Sequence, residues 1–115
     1  MDALAFFRIG FEILFSHPQE LVDLISDLER TLRNTWGGVS HISSSSLVWG
    51  GDFEMVRIAF SEQIERGGIP IQPIGLLRAS GAIECIKASR CVEIYEHIYE
   101  ATRSRGMRIR IAIAP

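Results

Sequence analysis

Eight residues carry the chemistry this chain has to offer, and their spacing is that of β-strands. Arg8 and Glu12 occupy even positions in a run whose odd positions, Phe7, Ile9, Phe11, Ile13 and Phe15, are all apolar. Such alternation turns odd and even side chains to opposite faces of a strand, so Phe6, Arg8 and Glu12 share one face. Arg108 and Arg110 stand in the same relation to Met107, Ile109, Ile111 and Ile113. Met55 and Arg57 do so with Val56, Ile58 and Phe60, and His41 falls in the stretch between the first and third runs. A guanidinium grips carboxylates and phosphates in a planar fork. A His beside a carboxylate and an Arg supports proton transfer. Two chemistries follow: anion recognition by Arg8, Arg57, Arg108 and Arg110 with Phe6 and Met55 as apolar contacts, or acid–base work by His41 and Glu12.

Other chemistries find less support. Cys85 and Cys91 are six residues apart, which matches neither a zinc nor a thioredoxin pattern. They are expected to be reduced and structural. No two histidines have the i, i+4 spacing of a metal pair. His17 reads as a helix-start residue, and His97 lies between Ile94 and Ile98 on a helix. Gly67-Gly68 runs into Ile69-Pro70 rather than into a phosphate-binding helix. The expectation is no metal, no cofactor and no assigned catalytic residue.

Composition sets the outer bounds. The chain has 115 residues, 47% hydrophobic and 23% charged, enough for one α+β domain over 1–115 with its own core. The formal net charge of −2 speaks against a duplex-DNA binder. Eleven of the twelve basic residues are Arg. Arg8 and Glu12 interrupt the apolar N-terminal stretch, so no signal peptide is read there, and no run is long enough to span a membrane. A cytoplasmic protein without a membrane role is the expectation.

The elements that must position these residues follow from changes of period. Residues 4–15 read as the first strand. Ser16 as cap, Pro18 and Gln19 as capping-box partner open a helix to about Thr35, ended by Gly37-Gly38. Residues 39–49, with Ser43 to Ser46 on both faces, suit an edge strand. Gly50-Gly51-Asp52 reads as a hairpin turn into a third strand at 53–61, the alternative there being a helix capped by Asp52. Gly67-Gly68, Pro70, Pro73 and Gly75 break any regular element. Ser80-Gly81 reads as the turn of a small extra hairpin over 75–88, with a backward extension of the next helix as its rival. Ser89 caps a helix over 90–105 that ends at Gly106, and 107–114 form the closing strand.

That order is β-α-β-β-α-β. It predicts a ferredoxin-like plait with strand order 4-1-3-2, both helices on one face, and an irregular or hairpin insertion before the second helix. Residues 52–58 resemble in part the third strand of RNA-recognition motifs. The basic-Gly start is missing, however, and Met55 stands where an aromatic would stack, so no family follows. The helices hold most of the acids (Glu20, Asp23, Asp27, Glu29, Glu93, Glu96, Glu100), while the opposite sheet face gathers the arginines. The functional expectation is a small interaction module acting as a homo-oligomer or in a protein complex through that face. Single-stranded nucleic acid or another anionic ligand is one alternative, and a cofactor-free enzyme built on His41 and Glu12 is the other. The apolar loop from Ile69 to Leu77 is a second contact candidate.

Overall fold

The computed structural model describes residues 6–63 and 76–112, with only the backbone of 62 and 63. The predicted elements at 1–5, 64–75 and 113–115, including the Ile69–Pro73 loop and Ile113, lie outside the described residues. Eight elements follow in order: β1 (Phe7–Phe15), α1 (Pro18–Trp36), β2 (Val39–Ile42), β3 (Ser46–Gly50), β4 (Glu54–Gln63), β5 (Leu77–Cys85), α2 (Ala88–Ser104) and β6 (Arg108–Ala112). All strand pairs are antiparallel, in one six-stranded sheet of order β2-β3-β4-β5-β1-β6. Among the described residues no helix is long and apolar enough to cross a membrane.

The α+β class is as expected, but the four-stranded plait order is not reproduced. The serine-rich stretch folds back on itself, giving two strands where one was read. Ser43 N–H donates to the Ser46 carbonyl at 2.9 Å, and the two hydroxyls meet at 2.8 Å. Serines bond their own backbone readily and so favour the turn over a continuous ladder. The second correction concerns 75–88. Ser80-Gly81 is no turn, because β5 runs straight through it and lies at the middle of the sheet between β4 and β1. Gly81 sits opposite Phe11, whose ring occupies the space a side chain would need: a Cβ there would stand 2.2 Å from Phe11 Cζ. The glycine is a notch for an aromatic ring. The stretch expected at 53–61 is a strand rather than a helix, beginning at Glu54, with a register shift between Phe60 and Glu62.

Helix ends differ by a residue or two from the expectation. His17, not Ser16, occupies the cap of α1. Glu20 rather than Gln19 closes it, its Oε1 accepting from the backbone N–H groups of Ser16 and His17 at 2.8 Å each. α2 starts at Ala88 after Lys87, so Ser89 is inside it. Gly38, at φ +84°, lets the chain leave α1 hard against β3, since a Cβ there would stand 2.2 Å from the Gly50 carbonyl oxygen.

One face of the sheet carries the core. Phe11, Ile13, Phe15, Leu47, Trp49, Val56, Ile58, Ala79, Ile83 and Cys85 meet Leu21, Leu24, Ile25, Leu28 and Leu32 of α1 and Cys91, Ile94 and Ile98 of α2. Trp49 is fully buried, with its indole N–H donating to the Gly37 carbonyl at 2.8 Å. The Cys91 thiol donates to the Phe7 carbonyl at 3.3 Å, so both cysteines are core residues. A polar seam runs between the helices. Thr31 Oγ1 and His97 Nε2 are 2.7 Å apart, His97 stands edge-on to Trp36, and the Arg90 guanidinium lies over the Trp36 ring.

Candidate recognition face

Strand register fixes which side chains share the face opposite the core. Four rows run across it. Arg8, Glu84 and Met55 form one; Ala112, Gly10, Ala82, Arg57, Val48 and His41 the next; Arg110, Glu12, Ser80 and Ala59 the third; Arg108, Leu14 and Arg78 the last. Phe6, Ile86 and Phe53 extend the pattern by one row beyond Arg8, the Ile86 N–H donating to the Phe53 carbonyl at 3.1 Å. The register sets seven of the eight residues read from the sequence on this face, and Phe6, just before β1, continues the alternation. Among the described residues no helix covers this side.

The structure adds residues the sequence reading missed. Arg78, Glu84 and Ile86 join the face because β5 is a central strand, and Phe53 joins it at the end of the β3–β4 turn. Period two in Arg78, Ser80, Ala82, Glu84 against Ala79, Gly81, Ile83, Cys85 was the available signal; the Ser-Gly pair obscured it.

The charges are organised. Glu12 takes two arginines: Arg110 Nη2 at 2.8 Å from the directly opposite position, and Arg78 Nη1 at 3.4 Å from the diagonal one. Its carboxylate is 19% exposed, the arginines 62% and 27%. Arg57 Nη2 reaches Glu84 diagonally at 2.8 Å, with both ends partly in solvent. Pairs this exposed contribute roughly 0–1 kcal/mol each; they fix geometry more than stability. Arg8 and Arg108 make no ion pair among the described residues. Five arginines share the face with Glu12 and Glu84, and the register sets Glu62 opposite Arg78, which leaves a formal surplus of two positive charges among the described positions on a chain whose total is −2.

The two helices carry seven acids against four arginines. Asp27 pairs with Arg30 and, at 3.2 Å, with Arg105. Glu29 accepts from Arg33 at 2.6 Å and from the Ser40 hydroxyl at 2.8 Å, and the Arg33 bond above all holds its carboxyl below the ordinary carboxylate value. Glu93, Glu96 and Glu100 form an exposed acidic ridge on α2.

The face is also graded along the strands. One end is apolar and open: Phe6 is 62% exposed, Phe53 66% and Met55 43%. The middle is small, with Gly10, Ala112, Ala82, Ala59 and Ser80. The other end is the Arg78, Arg108, Arg110 and Glu12 cluster. His41 takes no part in it. It lies on the edge strand, four strands from Glu12, about 19 Å at the usual strand spacing. The His41–Glu12 acid–base pair is therefore not assembled, and the enzyme reading loses its site. No cluster of three metal-ligating side chains exists among the described residues. No family model matches the chain, and no curated protein matches it either.

Proposed function

We propose that this protein is a small interaction module, and that its uncovered sheet face holds an acidic, partly apolar surface of a partner protein. The observation that carries this reading is the separation of charge: a surplus of two positive charges among the described positions of the open face, against helices with seven acids and four arginines. An acidic ridge fits the arginine end, and an apolar side chain from the same partner fits Phe6, Phe53 and Met55. Face-to-face pairing of two copies is disfavoured by the same excess, because among the described positions ten arginines would meet six carboxylates, and like charges opposed across an interface are costly. A second reading, single-stranded nucleic acid, is favoured by one feature. Phe6 and Phe53 share a row two strands apart, about 10 Å, and exposed aromatics beside arginines can stack bases.

The test uses two fluorescent probes of equal negative charge: a peptide rich in Asp and Glu that carries Phe and Leu, and a single-stranded oligonucleotide. The expected result is peptide binding that weakens with salt and falls at least tenfold in the Arg108→Glu, Arg110→Glu variant. Preference for the oligonucleotide, lost on Phe6→Ala with Phe53→Ala, replaces the first reading with the second. Peptide affinity unchanged by the charge reversal refutes the role of the arginines.

A further inference from the structure

The two edges of the sheet are built differently. β6 carries Arg108 and Arg110, the kind of charge that keeps an edge from pairing with another strand. β2, of sequence Val-Ser-His-Ile, carries no formal charge and no proline. It is exposed: Val39 at 73% and Ile42 at 49%, with Val48 of β3 beside His41 at 41%. No described strand lies beyond it.

The hydrogen-bond phase of β2 says which backbone groups are available. Ser43 N–H donates to Ser46 O, so Ser43 faces β3. On the other side of β3, Ser45 O accepts from Phe60 N–H and Gly51 N–H donates to Glu54 O, so the odd residues of β3 bond β4 and its even ones bond β2. Bonding phase alternates along an antiparallel ladder. His41 and Val39 therefore bond Val48 and Gly50, their register partners. Ser40 and Ile42 turn their N–H and C=O groups outward.

We propose that β2 pairs antiparallel with β2 of a second copy of this chain, about a two-fold axis at His41. Only that centring uses all four outward groups of both strands: Ser40 exchanges two bonds with Ile42 of the second copy, and Ile42 two with its Ser40. His41 then meets its own counterpart in a non-bonded pair on the open face, with Val39 and Val48 alongside. A second copy is the occupant that suits this edge, since β2 itself carries no formal charge and the Glu29 carboxylate held on Ser40 is already paired with Arg33, in contrast to the arginine-bearing face. The product is one twelve-stranded sheet, with both recognition faces on the same side and both helix layers on the other.

The test is the mass in solution by light scattering across a wide concentration range. The full chain is expected to approach twice 12.9 kDa as concentration rises. Ile42→Pro deletes one outward N–H from each copy while leaving the β2–β3 ladder intact, because proline is tolerated where the N–H faces solvent. Two ordinary hydrogen bonds lost raise the dimer dissociation constant roughly thirtyfold. His41→Glu, which leaves the backbone alone, places like charges at the axis and weakens the dimer in the same direction. Arg108→Glu with Arg110→Glu leaves the dimer intact. A chain that stays monomeric overturns the proposal. So does a dimer that survives both β2 variants, or one broken by the charge reversal.

Discussion

Replacing Gly81 by alanine tests the placement of β5, on which the composition of the open sheet face depends. The new Cβ would lie 2.2, 2.4 and 2.8 Å from Cζ, Cε2 and Cε1 of Phe11, so the ring must retreat by about 1.2 Å to reach ordinary contact. Phe11 has little room to do so. It is 1% exposed, and Tyr95 stands edge-on to it at 6.2 Å between centroids. Overfilling a packed site costs about 1–3 kcal/mol. Against this, losing glycine's freedom in the unfolded chain returns about 0.4–1 kcal/mol, since Gly81 has no positive φ to strain an alanine. The net expectation is a loss of about 1–2 kcal/mol, a fall in Tm of roughly 4–8 °C for a domain of this size. Urea titration and thermal scans read it. Phe11→Leu shortens the obstructing side chain, so the double variant is expected to recover at least about 1 kcal/mol relative to additivity. A Gly81→Ala protein as stable as its parent, or a strictly additive double variant, refutes the notch.

Two further outcomes are expected. Glu29 titrates below its ordinary value of 4.5 in the fold, held down chiefly by the Arg33 bond. A depressed folded pKa contributes stability above the unfolded value that is lost as pH falls through the folded one; Glu29→Gln is therefore expected to lower stability at neutral pH and to flatten its decline below about pH 4.5, measured by urea titration at several pH values. Burial, foremost, pushes the Cys85 thiol far up, and Cys85 and Cys91 are both inaccessible. Thiol reagents are expected to label neither in native protein and both in denaturant, and rapid native labelling counted by mass spectrometry would contradict the packing of β5 on α2.

The sequence was legible where hydrophobic period and solvent exposure agree. β1, β4 and both helices each bury one face, so Phe11, Ile13, Leu24, Leu28, Ile94 and Ile98 declare their role through spacing. The reading failed where one residue serves two purposes. Gly81 is written like a turn because Ser-Gly pairs usually are one, yet its lack of a side chain answers a ring 70 positions earlier in the chain, and no local rule sees that. The serine run was read as one strand because an edge tolerates serine; hydroxyls bonding across 43 and 46 made it two. Parity survives errors of topology, so the alternation alone set Arg8, Glu12, Met55, Arg57, Arg108 and Arg110 on one face of the sheet. The separation of His41 from Glu12 was not legible, because distance across a sheet depends on strand order.

The ion cluster at the arginine end has a consequence for how the protein is made. Glu12 is 66 positions from Arg78 and 98 from Arg110, whereas β2, β3 and β4 are joined by turns of three residues. Closing long loops is entropically dear and slows folding, while local hairpins form early. The β2–β4 meander is thus positioned to appear first, and the charged cluster last, when β6 docks on β1. A chain emerging from synthesis therefore lacks the Glu12–Arg110 pair until segment 108–112 has been made and laid against β1.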